Sequence, residues 1–300
     1  MANSGGKRQL MCVMKRLLLT TSTLVLLSCS GAAFAATLYE DRDIPRQVSF
    51  GGACQKCELS GKKLTNARFM GANFNGAVLI GADLRGASFM GSTFQGANLS
   101  RADLRGAGFT GSNFNFADFS GAALDGIEGP ASSFQRSNLS RASLAGAELP
   151  GSNFGSANLS FARFRGAEMP HVNLTKVLAI KADFRDAELV GANLTSGQFT
   201  DASFRGTDLS HARLNQATFG EADFRGADLS GASLAGADLS RASGLTQSQI
   251  NQACANDETR LPAGLTPRLC RGPRLLIASP HAPPRPPVPP AAPKPPAGNR

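Results

Sequence analysis

Residues 81–106 read GADLRGASFMGSTFQGANLSRADLRG, and every fifth residue is large and apolar: Leu84, Phe89, Phe94, Leu99 and Leu104. Neither regular element has this period, since an amphipathic helix repeats every 3.6 residues and a half-buried strand every 2. A third geometry is being specified.

The register holds from Leu59 to Leu239. All 37 pentad centres in that span are Leu, Phe or Met except Gly129 and Ala179. Two residues before a centre the chain is small, as at Ala82, Ala87, Ser92 and Ala97. Two residues after it, Gly prevails, as at Gly71, Gly76, Gly81 and Gly86. The positions flanking the centre are mostly Asp, Asn, Ser, Thr, Arg or Glu. Centre and small predecessor therefore point inward and the flanks outward. The residue two past the centre turns the chain, where Gly supplies the positive φ of a type II turn. Pro130, Pro150 and Pro170 each stand one past a centre, the first central turn position, where φ near −65° is wanted.

A longer period lies over the short one. Arg recurs one past the centre at 85, 105, 165, 185, 205 and 225, and Ser at 100, 120, 140 and 160. Acids occupy Glu128, Glu148, Glu168, Glu188, Asp208 and Asp228. All these spacings are multiples of 20, so four pentads close one coil. The expectation is an all-β solenoid, a square-sectioned β-helix of about nine coils over residues 54–243, roughly 45 Å long at ~4.8 Å per coil. Phe columns at 74, 94, 114, 134 and 154, then at 164, 184, 204 and 224, read as stacked core, with Leu opposite so that the cross-section stays constant.

Tandem units such as ADLRG-ASFMG-STFQG-ANLSR resemble the pentapeptide-repeat proteins. The resemblance covers about 180 residues and implies a right-handed quadrilateral β-helix. It says little about function, because members of the family do different things.

The ends differ from the middle. MKRLLLTTSTLVLLSCSGAAFA places Lys15 and Arg16 before an apolar run and ends in Ala33-Phe34-Ala35, which reads as a signal peptide over 1–35 cleaved before Ala36. Translation could begin at Met1, Met11 or Met14. An alternative is lipidation at Cys29, since Leu26-Leu27-Ser28-Cys29 loosely resembles a lipobox. The apolar run is too short for a stable bilayer anchor, so no transmembrane segment is expected in the mature chain. The expected compartment is periplasmic or secreted, in a bacterium. Residues 36–53 are a lead-in, 244–270 a cap, and 271–300 a basic Pro-rich tail, expected to be polyproline II or disordered. The net charge of +9 comes from the leader and the last 41 residues, while 36–259 carry 20 basic against 22 acidic side chains. A nucleic-acid partner is therefore not expected.

Outside the leader the cysteines are Cys54, Cys57, Cys254 and Cys270. An even number in an exported chain points to disulfides. Cys54 and Cys57 fall on inward positions and read either as a disulfide or as buried thiols. Zinc is the weaker alternative for a lone CxxC. In the cap, Thr246 suits an N-cap, Gln249 its capping-box partner, and Leu245 with Ile250 a hydrophobic staple of a short helix. The run GLTQSQINQACANDETRLPAGL resembles the segment that often closes pentapeptide-repeat domains.

No catalytic grouping is apparent, and no cofactor is expected. His171 and His211 share one corner column two coils apart, ~10 Å at strand spacing, too far to hold one metal ion. Arg165, Arg185, Arg205 and Arg225 are expected to be neutralised across a corner by Glu168, Glu188, Asp208 and Asp228. The leading reading is an exported, non-enzymatic scaffold for a protein or envelope partner. One alternative is a DNA-mimicking topoisomerase ligand, as the resemblance allows. Another is a spacer for the basic tail on an anionic envelope surface.

Candidate contact residues lie where the repeat breaks its own rules. Met70, Val78, Ile80 and Met90 place apolar groups on outward positions near the N-terminal end. Further along, Phe161 replaces a corner Gly, and Leu178 and Ile180 flank the undersized centre Ala179. A purely local explanation is that Leu178 or Ile180 swings inward to fill the space. The other is a surface for a partner or for a second copy in a homodimer.

Overall fold

The computed structural model describes residues 49–50 and 52–270. The leader, most of the lead-in and the tail lie outside the described residues. From Ala53↔Asn73 to Asp223↔Ser243, successive bridges are parallel and join residues 20 apart. Each coil thus has four sides. Side A carries centres 69, 89 and onward; side B carries 74, 94 and onward; side C, 79, 99 and onward; side D, 84, 104 and onward.

Why a five-residue side is stable follows from counting its N–H donors. In the pentad Ala82–Gly86, the Asp83 N–H donates to the Lys62 carbonyl of the preceding coil. The Leu84 and Gly86 N–H groups donate to Asp103 and Arg105 of the following one. The Ala82 N–H closes the turn onto the Leu79 carbonyl. Such turn bonds, with positive φ at the residue two past the centre, are the marks of a type II turn (Gly86 φ 64°). Among the described residues, seventeen non-glycine residues take the same left-handed conformation, Arg101, Phe116, Phe161 and His171 included. Each such corner is strained relative to Gly.

The fifth N–H, one past the centre, explains the Asp and Asn flanks. In many pentads the side-chain oxygen of the residue before the centre accepts it, as from Asn75 to Asn73, Ser100 to Asn98, Ser120 to Asp118 and Ser140 to Asn138, at 3.0–3.1 Å. These Asx-type bonds complete the backbone accounting. On side A the same position holds Glu128, Glu148 and Glu168, and the residues that would need an acceptor are Pro130, Pro150 and Pro170. Proline has no N–H to satisfy.

Inward positions form one continuous core. Aromatic rings stack along side B, with centroids 4.7–5.1 Å apart from Phe74 to Phe154, and along side D from Phe164 to Phe224 at 5.0–5.2 Å. The two undersized centres are compensated two residues earlier. Gly129 follows Ile127, and Ala179 follows Val177, where Ala is usual; both β-branched side chains are buried. Phe109 and Leu149, one coil to either side, also close on Gly129, where an added Cβ would lie 3.3 Å and 2.9 Å from them. Phe109 leaves the parallel stacking, tilted 48° to Phe89. The inward swing of Leu178 or Ile180 does not occur. Leu178 keeps its outward bridge position between Asn158 and Gln198, because Val177 already occupies the volume.

The small polar residues that replace Ala inside are also satisfied. Ser132 and Ser152 donate to the carbonyls of Phe109 and Gly129, and Thr207 to that of Phe184. At the C-terminal end the bridges continue with longer steps, Ser233↔Cys254 and Asp238↔Arg260. Between them lies helix α1, Gln247–Gln252, with Thr246 as N-cap and a complete capping box to Gln249. The Gln249 amide also donates to the carbonyls of Phe224 and Ala227, and Ile250 is buried over the last coil. α1 thus packs on the end of the last coil. At the N-terminal end, β1 (Ser49–Phe50) pairs in parallel with β2 (Arg68–Phe69), 19 residues on.

Candidate interaction surface

Cys54 pairs with Cys57 and Cys254 with Cys270. The first disulfide spans a corner of the opening coil. The second ties the chain after α1 back to the cap, where Ala255 also bridges Leu269. Among the described residues no group of three His, Cys, Asp or Glu is placed to hold a metal ion. No helix among them is long and apolar enough to cross a membrane.

The apolar outliers separate into two different arrangements. Phe161, Ile180 and Leu178 are neighbours: the Phe161 N–H donates to the Ile180 carbonyl, and that of Leu159 to Leu178. The Phe161 ring, 45% exposed, faces the Arg141 guanidinium at 5.3 Å and the Lys181 ammonium at 5.9 Å. A cation on an aromatic face gains from the ring quadrupole.

The N-terminal group is not one patch. Met70 and Met90, 55% and 49% exposed, stack at the corner after side A. Val78 and Ile80 lie half a coil away, on side C and its following corner. Ten residues is half of a twenty-residue coil, so the two pairs point in opposite directions. Phe116, 50% exposed beneath Arg136 at 5.7 Å, also belongs among the outliers. Its signal is the same as for Phe161, a large residue where corner Gly is usual.

The arginine columns find other partners than those expected. Arg85, Arg105, Arg185 and Arg225 each fold back on the Asp two residues earlier, with N–O contacts of 2.8, 2.6, 2.6 and 2.5 Å. In each pair the guanidinium lies side-on across both carboxylate oxygens. The hydrogen bond from the arginine side chain holds Asp83, Asp103, Asp183 and Asp223 below the usual carboxylate range, against a smaller desolvation effect. Arg165 reaches Asp186 and Arg205 reaches Asp223 instead, at 3.3 and 3.9 Å. The Glu128-to-Asp228 column on side A is therefore not neutralised across the corner. Among the described residues none of these six carboxylates is ion-paired, and all except Asp208 are exposed.

His171 and His211 serve packing. Each imidazole lies over the corner glycine of the next coil, with an added Cβ on Gly191 or Gly231 meeting Nδ1 at 2.6 or 2.7 Å. The alternation His171, Gly191, His211, Gly231 is thus a space requirement.

Comparison with solved structures finds HetL, a pentapeptide repeat protein involved in heterocyst differentiation regulation in the cyanobacterium Nostoc sp. It is 26% identical over 66% of this chain and 90% of its own, with a TM-score of 0.32. QnrB1, a plasmid-mediated fluoroquinolone resistance protein, is 27% identical over 58% of this chain and 85% of its own, with a TM-score of 0.39. A pentapeptide repeat protein of the Arabidopsis thaliana thylakoid lumen is 22% identical over 51% and 80%, with a TM-score of 0.15. Comparison with curated proteins finds no match. The profile of pentapeptide repeats matches eight copies spanning 54–126 and 137–243, the residues that form the four-sided coils. On that match and the twenty-residue bridge register, the chain belongs to the pentapeptide repeat family.

Proposed function

We propose that this protein is an exported, non-enzymatic interaction scaffold: a right-handed, four-sided column of about nine coils that offers rigid faces to a protein or envelope partner. The observation that supports it most is the use made of the polar flanks. Asp and Asn oxygens, the groups best suited to acid–base or metal chemistry, are taken up by backbone N–H groups and arginines of their own pentads. What remains free on the surface is shape, charge columns and the exposed rings of Phe116 and Phe161. The export signal at 1–35 and two disulfides fit an oxidising compartment. Fractionation of the native host, with intact mass of the isolated chain, tests this. A periplasmic or secreted chain beginning at Ala36 is expected. A cytosolic chain with its leader intact would sink the reading, and a diacylglyceryl Cys29 would replace it by the lipid-anchored form. Pull-down from the envelope with full-length and tail-deleted chains then separates a partner of the coils from a surface that holds the basic tail.

A second reading, a DNA-mimicking topoisomerase ligand, is favoured by the unpaired acidic column on side A. One carboxylate per ~4.8 Å coil gives roughly a third of the linear charge density of duplex DNA, one charge per ~1.7 Å. That shortfall and the export signal place it second. Inhibition of a supercoiling reaction by the processed chain would promote it.

A further inference from the structure

Side C repeats its rule-breaking after five coils. Its outward column runs Val78, Asn98, Asp118, Asn138, Asn158, Leu178, each bridged to the next. The corner column beside it runs Ile80, Ser100, Ser120, Ser140, Ser160, Ile180. Two apolar pairs, half-buried, therefore bracket a flat stretch of short polar side chains, ~24 Å apart at strand spacing. The stretch between is pre-set. Asn158 donates its amide to Asn138, and Asn138 donates to Asp118, at 3.3 and 2.9 Å, while their oxygens accept the serine N–H groups. Val78 and Leu178 have no oxygen to offer, so the Asx bond to residue 80 or 180 is given up at both ends.

We propose that side C is a self-complementary face on which a second copy of this chain docks antiparallel, with the two-fold axis along the strands between Asp118 and Asn138. A two-fold axis makes every contact reciprocal, and this placement opposes each coil to its mirror position in the series. Val78 then meets Leu178 of the second copy, and Ile80 meets Ile180. Asn98 faces Asn158, and Asp118 faces the Asn138 amide. In the adjoining corner column Arg101 comes opposite Phe161, whose ring already attracts Arg141 and Lys181, and Lys181 comes opposite Gly81. No like charges stand directly opposite one another in these columns, and Arg101 lies one coil diagonally from Arg141 and Lys181 of the other copy. The parallel alternative, with the axis along the coil stack, sets Asp118 against its own copy and Val78 against Val78, so it forfeits the match and adds a repulsion. Overlap from the coil of Glu58 to that of Gln198 is about 38 Å long and ~12 Å wide. It buries on the order of 1,000 Å² in total, the low end for a specific interface. Area alone fixes no affinity, so the dimer is sought over a wide range of concentration. The inference concerns self-association alone and holds whether or not another side carries an envelope partner.

Sedimentation velocity of the processed full-length chain from ~1 to ~100 µM tests it. Ile80→Glu and Ile180→Lys should each weaken the dimer at least tenfold. The double variant should regain most of the loss, because the introduced carboxylate of one copy would face the introduced ammonium of the other at both ends of the interface. A chain that stays monomeric at ~100 µM overturns the proposal, as do single variants that dimerise like the parent. A double variant no better than the singles overturns the antiparallel pairing. Melting temperatures guard against misfolding. Should a variant fail to fold, hydrogen exchange on the unaltered chain decides: concentration-dependent protection is expected in peptides covering 77–101 and 157–181 together, and its absence or its appearance only on side A refutes the face.

Discussion

Ile127→Ala probes the volume rule that lets the coil tolerate Gly129. Ile127 is fully buried and supplies the bulk that its pentad centre lacks. Elsewhere Ile→Ala in a core costs about 2–5 kcal/mol, a transfer term plus the cavity that remains. Here the space over Gly129 is already taken: the Phe109 Cβ and a Leu149 methyl approach it from the two neighbouring coils, and the Phe109 ring is tilted 48° to that of Phe89. The cavity cannot collapse much further, so the expected loss is about 3–4 kcal/mol, well above the lower end of that range. The assay is reversible urea unfolding of the disulfide-intact chain, followed by circular dichroism and by hydrogen exchange of residues 107–149, so that local opening of a repeat array is separated from global unfolding. Gly129→Leu alone should destabilise by about 1–3 kcal/mol through overpacking. Combined with Ile127→Ala it should recover at least about 1 kcal/mol relative to the sum of the single effects. A cost below about 1 kcal/mol for Ile127→Ala, or strict additivity in the cycle, would refute the compensation.

Three further outcomes follow from the surface geometry. Stability should be at its full value above about pH 4, the unfolded Asp range, and fall as acidification protonates Asp83, Asp103, Asp183 and Asp223. Their folded pKa values are lowered by arginine hydrogen bonds, so that contribution is lost only as pH drops through them; a pH titration of the urea midpoint checks it. Gly191→Ala should destabilise more than Gly151→Ala, since both have positive φ but only Gly191 lies under an imidazole. His171→Ala should abolish the difference in melting temperature. Asn138→Ala removes the acceptor of the Ser140 N–H and the donor to Asp118. About 1 kcal/mol is expected from urea melts, against less than about 0.5 for an ordinary exposed substitution.

The coil was legible in one dimension because its information is periodic. Centre, predecessor and corner recur at five residues, and Arg, Ser and acid columns at twenty, so inward and outward, and which residues stack, can be read by counting. The cap was legible for a similar reason: Thr246 and Gln249 stand three apart, and a capping box is a local contact. Even the split between Met70 and Ile80 is contained in the count, once ten residues is recognised as half a coil. What counting could not supply is the direction taken by long side chains. Arg185 has Glu188 across the corner and Asp183 behind it, and both separations are short along the chain. The tertiary structure selects Asp183, because its carboxylate, already fixed by the Arg185 N–H, presents two oxygens side-on to the guanidinium. The same holds for Ala179, where the sequence offers three apolar neighbours to fill the space. The choice of Val177 over Leu178 and Ile180 is made by the parallel bridges, because a hydrogen-bonded register cannot slip by one residue without turning every neighbouring side chain to the opposite face.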